Sequence, residues 1–128
     1  MTIELTMLVY SVVLLVIVIA IQATAGILAQ GLPAMAGSRD NLGEPSPFQS
    51  RSKRVAENHK EGLLLFAPLV LVASAAGIST EMTVLGAQLF FYSRIAHAVI
   101  YLAGWPWIRP LAWFVGLVGT LMILFALL

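Results

Sequence analysis

Hydrophobic residues run along this chain in long blocks rather than in alternation, and charged residues mark the block ends. No formal charge occurs from Leu5 to Ser38 or from Gly62 to Thr80, and the stretch from Pro110 to Leu128 is also uncharged. Between them, Met82 to Ile108 is interrupted only by Arg94 and the titratable His97. A bilayer core about 30 Å thick takes about 20 apolar residues per helix. The blocks therefore predict four transmembrane helices, at 4–30, 52–77, 82–103 and 108–127. Glu4 stands where a secretory signal would carry its basic region, and the first apolar run is too long for one, so this block reads as a span.

The one substantial connection, Gly31 to Ser50, is rich in Gly, Pro, Ser, Asn and Asp, which is loop chemistry. Residues around Gly77–Glu81 join the second and third helices, and Gly104-Trp105-Pro106-Trp107 joins the third and fourth. No repeat or second domain interrupts residues 1–128. The fold class expected is an all-α membrane protein, a four-helix up-down bundle. Arg39, Arg51, Lys53, Arg54 and Lys60 cluster in or beside the first loop and Arg109 beside the third, while none lies near Met1, Glu81 or Leu128. The positive-inside bias puts loop 31–50 in the cytoplasm and both termini outside. Trp105, Trp107 and Trp113 then fit an aromatic belt at the cytoplasmic interface.

Composition narrows the function classes. Of the 128 residues 60% are hydrophobic and only 10% charged, with a mean hydropathy of +0.96, against about 25% charged in ordinary soluble domains. A water-soluble globule is excluded as the default. A net charge of +1 provides no basic field for nucleic acid. Cysteine is absent, so thiol chemistry needs a thiol brought by a ligand. His59 and His97 are the only histidines and show no metal-ligand spacing, so no metal site is expected.

Two polar constellations remain. In Arg51-Ser-Lys-Arg54-Val-Ala-Glu57-Asn58-His59-Lys60-Glu61, helical spacing puts Arg54, Glu57, Asn58 and Glu61 on one face. His59 and Lys60 are expected to point elsewhere, toward lipid headgroups. The plain alternative is a solvated helix end with internal ion pairs. The second constellation, Arg94-Ile-Ala-His97-Ala-Val-Ile-Tyr101, lies within a span, and a rise of ~1.5 Å per residue puts Arg94 roughly 18 Å in from Met82. An intramembrane arginine needs a partner or a watery cavity. A pairing with Glu61 would serve packing alone. The two polar faces should meet in the cytoplasmic half, where Arg109 adds a further cation. Arg54, Arg94 and Arg109 against Glu57 and Glu61 bias such a pocket toward anions, and a thiol beside them would ionise more readily.

These two stretches resemble the signature regions of the MAPEG family, membrane-associated proteins in eicosanoid and glutathione metabolism. Gly37-Ser38-Arg39-Asp40-Asn41 and Trp107-Ile108-Arg109-Pro110 resemble its bacterial-type members, and the similarity covers nearly the whole chain. The resemblance implies a homotrimer, in a bacterial inner membrane, that binds glutathione in clefts between subunits on the cytoplasmic side. It implies conjugation, peroxide reduction or isomerisation of lipophilic small molecules, in the manner of glutathione S-transferases and peroxidases. By position Arg54, Asn58 and Glu61 would hold the peptide, Arg94, His97 and Tyr101 would line the cleft, and Arg109 would stabilise the thiolate; the catalytic pair would be Arg109 and Tyr101. Glutathione-active members often carry Arg immediately before the Asn, where this chain has Glu57.

Two other classes use the same residues differently. A non-enzymatic scaffold or binding subunit needs the polar pairs only for helix packing. A transporter is less well matched, because the chain lacks an inverted repeat and helices broken by Gly or Pro.

Overall fold

The structure, a computed structural model, describes all residues from Met1 to Leu128. Five helices follow in order: α1 (Ile3–Gln30), a short α2 (Leu32–Ala36), α3 (Pro47–Ala75), α4 (Glu81–Ala103) and α5 (Arg109–Leu127). The long helices agree with the predicted blocks to within a residue or two at most ends. The exceptions lie beside the first loop. Leu32–Ala36 is helical, with Pro33 in its first turn, and α3 begins at Pro47 rather than at residue 52. The cause is local. The Ser46 hydroxyl accepts from the Gln49 N–H at 3.0 Å and Pro47 takes the first helical position, where its missing N–H costs nothing.

Three helices, α1, α4 and α5, are long and apolar enough to cross a membrane. Four were expected; α3 falls short because its first half, through Glu61, is polar, and only Gly62–Ala75 is apolar. The chain buries 27 of its residues, and large aliphatic side chains such as Val16, Leu28 and Leu64 point outward. That arrangement suits a hydrocarbon surrounding rather than water.

Helices α3 and α4 form the middle of the bundle, each packed against both α1 and α5, whose backbones do not approach each other closely. At the end holding the α3–α4 turn, Met7, Leu63, Phe66, Val70, Ala87, Phe90 and Ile123 pack together, with the Phe66 and Phe90 rings stacked 3.9 Å apart. At the loop end Val18, Val55, Ala56 and Ala98 form a second cluster. Ser11, His59 and Arg94 fall between the two clusters along α1, α3 and α4, as a buried polar layer.

Hydroxyl groups fix the far end of the bundle. Thr80 and Thr83 cap α4 reciprocally, and the Thr83 hydroxyl donates to Glu4 of α1 at 2.6 Å, joined by Ser79 at 2.9 Å. Helices α4 and α5 approach at Gly86 and Gly119, where an added methyl on either would lie 2.6 or 2.5 Å from the other's carbonyl oxygen. At the loop end, Gly104 adopts the left-handed conformation, and the Gly104 and Trp105 N–H groups close α4 onto Tyr101 and Ile100.

Candidate functional site

The sequence-predicted residues gather at the loop end of the bundle, in two layers. The inner layer is buried. Arg94, 4% exposed, donates through Nη1 to the Asn58 side-chain oxygen and through Nη2 to the Asn58 carbonyl at 3.2 Å. Its hydrogen-bond partner is thus an amide rather than the expected carboxylate of Glu61, which is exposed. Space for the guanidinium comes from Gly62: a Cβ there would lie 2.5 Å from Nη2 and 2.9 Å from Nε. The Arg94 Nε is buried without a partner.

His59 departs from its expected place. It is 3% exposed instead of facing headgroups, and its Nε2 lies 2.8 Å from the Ser11 carbonyl oxygen. A carbonyl only accepts, so Nε2 carries the proton and donates. The polar layer thereby ties α3 to α1 through His59 and to α4 through Asn58. Lys60 is exposed, as expected.

The outer layer is open. Tyr101, half-buried near the end of α4, lies between His97, whose ring meets it edge-on at 5.6 Å, and Arg109, whose guanidinium carbon sits 4.6 Å from its ring centroid. His97 is itself 3% exposed and stands behind Tyr101. A cleft of ≈ 460 Å³ opens here, lined by Arg51, Arg54, Tyr101, Arg109 and the loop Gly104–Trp107, with Pro110. Its charged lining is three guanidiniums and no carboxylate. Arg54 and Tyr101 also wall a shallower groove of ≈ 230 Å³ with Glu57, Asn58 and Glu61, so the predicted polar stripe of α3 does share one face.

Six of the seven candidate residues are therefore close-set. Arg54, Tyr101 and Arg109 line the cleft; Asn58 and Glu61 line the adjoining groove; Arg94 supports Asn58 from within. His97 touches the site only through Tyr101. Sequence reasoning missed Arg51 as a cleft residue. It lies one turn before Arg54, and a Cβ on Gly104 would fall 3.5 Å from its guanidinium carbon, so its place depends on a loop distant in sequence. The one available signal was its i−3 spacing from Arg54.

A guanidinium-walled cleft with a tyrosine in its lining can hold carboxylates bidentately and stabilise a thiolate or other soft anion. Known proteins place the chain further. No curated protein and no solved structure matches it. The sequence does match the profile of the MAPEG family over residues 5–128, which takes in all four long helices and both polar constellations. With that match and its apolar, multi-span helices, this chain belongs to the MAPEG family, as an integral multi-pass membrane protein.

Proposed function

We propose that the protein joins a thiol peptide, glutathione, to lipophilic electrophiles, or uses it to reduce lipophilic peroxides, at the cytoplasmic side of the membrane. The observation that carries this reading is the open cleft with three arginines and no acid. Its ≈ 460 Å³ falls within the roughly 300–1,000 Å³ of small-molecule sites. The polar contacts inside the bundle, Arg94 with Asn58 and His59 with Ser11, are also what a scaffold would need for packing. The cleft is not, because three guanidiniums with no carboxylate among them repel one another and gain nothing from packing within the chain.

The residues fit the peptide. Glutathione has two carboxylates, an ammonium and a thiol, and when bound it supplies the thiol as nucleophile or reductant. Arg51 and Arg54 offer forked donors to carboxylates. Asn58, Glu57 and Glu61 offer an amide and negative charge to the amide and ammonium groups. Glu57 thus gives the groove both signs, which a zwitterionic peptide can use. Arg109, steadied over the Tyr101 ring, lowers the pKa of a thiol placed beside it; about one to two units raises the thiolate fraction at neutral pH about ten- to hundredfold. Arg94 holds Asn58 and so acts as a positioning residue.

The same reading takes α3 as a fourth span, with its charged half at the cytoplasmic interface, and places three copies around a common axis. Arg54, Glu57 and Glu61 are exposed beside an apolar stretch, and a neighbouring copy would cover them. Calorimetric titration of the detergent-purified protein with glutathione tests the function. Saturable binding in the millimolar range or tighter is expected, and no heat of binding at that concentration would leave the scaffold as the better account.

A further inference from the structure

Two residues other than glycine have positive φ, Arg39 at 65° and Trp107 at 75°. Arg39 is anchored, its Nε donating to the Met35 carbonyl at 2.8 Å. Trp107 is different. The Ile108 N–H donates to the Pro106 carbonyl at 2.9 Å, closing a three-residue γ-turn in its rare positive-φ form, with the tryptophan at its centre. A bulky side chain in that region persists only where its surroundings enforce it, and such strain clusters at ligand clamps.

Burial does not explain the residue. Trp107 is 91% exposed, so its indole contributes almost nothing to the core. Glycine would make the same turn without strain. The position thus carries backbone strain to present an indole outward, at the rim of the arginine cleft and two residues before Arg109. Trp105, 55% exposed, lies two residues before it on the same cleft.

We infer that Trp107 is the docking platform for the lipophilic acceptor, and that it selects flat, electron-poor rings. This rests on the reading of the cleft as the place where a thiol meets a lipophilic partner. The indole face is electron-rich and rigid, so it stacks best on an electron-poor π-system. The guanidinium of Arg109, placed where the thiol meets its acceptor, favours ring substituents bearing partial negative charge, such as nitro or carbonyl oxygens. A simple membrane anchor would explain the exposure but gives no reason to hold the residue in a strained turn beside the arginine cleft.

Equilibrium dialysis of 1,3-dinitrobenzene against the protein in nanodiscs, with empty nanodiscs as background, tests the platform. This probe has no leaving group, so it binds without reacting and needs no thiol. Binding above background is expected, weakened about three- to tenfold in Trp107→Gly and largely kept in Trp107→Phe. Glycine suits the turn, so the melting temperature of Trp107→Gly should not fall. In the matching turnover assay, 1-chloro-2,4-dinitrobenzene forms a sulfur–carbon bond with glutathione as chloride leaves with its electron pair and the thiol proton passes to water. Trp107→Gly should raise KM for the chlorinated ring by a larger factor than KM for glutathione. Equal probe binding by parent and Trp107→Gly, or none above background by the parent, overturns the platform. Trp107-dependent probe binding with no conjugation would instead leave the platform standing and remove glutathione from the proposed function.

Discussion

Gly62 is packed against the guanidinium of Arg94: a Cβ added to the glycine would lie 2.5 Å from Nη2, 2.9 Å from Nε and 3.0 Å from Cζ. The arginine can reach Asn58 only because α3 has no side chain at this point. Gly62→Ala should therefore push Arg94 off Asn58 and destabilise the protein by about 1–3 kcal/mol. Thermal unfolding in detergent measures it, and an unchanged melting temperature would contradict the close fit.

Arg94 and Arg109 should separate by substitution. Arg94→Ala leaves a cavity and the Asn58 oxygen without its donor, and should cost about 3 kcal/mol. Arg94→Met, which fills the space without a buried charge, should cost less. Arg109 is exposed, so Arg109→Ala should leave the melting temperature nearly unchanged. It should instead diminish the ultraviolet absorbance of bound thiolate and the turnover, with glutathione affinity largely kept. Equal thermal losses in the two alanine variants would argue for a purely structural network.

The glycines between α4 and α5 are not equivalent. An added methyl on Gly119 meets the Gly86 carbonyl and the Phe90 backbone nitrogen, at 2.5 and 2.9 Å, and backbone cannot yield. On Gly116 it meets the Ser93 hydroxyl at 2.7 Å, which can rotate away from its bond to the Phe90 carbonyl. Gly119→Ala should cost about 3 kcal/mol and Gly116→Ala closer to 1 kcal/mol, read from the two melting temperatures.

Orientation is open to single-cysteine labelling, because the chain has no cysteine of its own. Asn41 is exposed in the loop, whereas Ser46 caps α3 and should be left intact. Asn41→Cys should resist a membrane-impermeant maleimide in intact cells and react after permeabilisation. Reaction in intact cells would place the loop outside.

Assembly should follow from the polar face of α3. Native mass spectrometry from mild detergents should give a trimer, weakened when Glu61, exposed beside the apolar half of α3, is replaced in Glu61→Lys. A monodisperse monomer in several detergents would require the groove to be complete within one chain.

The amino-acid sequence by itself determined the four long helices and the membrane surroundings. Uncharged blocks such as Pro110–Leu128 leave no choice in hydrocarbon, where the backbone must satisfy its own hydrogen bonds. It also determined that Arg54, Glu57, Asn58 and Glu61 share a face, since helical periodicity fixes that relation within one element. Even the early start of α3 was written locally, in Ser46-Pro47. Tertiary structure decided which residues meet across helices. Arg94 bonds Asn58 rather than Glu61, His59 turns inward to Ser11, and Arg51 joins the cleft under Gly104. Periodicity gives a residue's angle on its own helix, but partners depend on how far each helix is rotated and how closely its neighbours approach. At Gly62, Gly86 and Gly119 that approach is set by the absence of a side chain, which no pattern of hydrophobic and polar positions records.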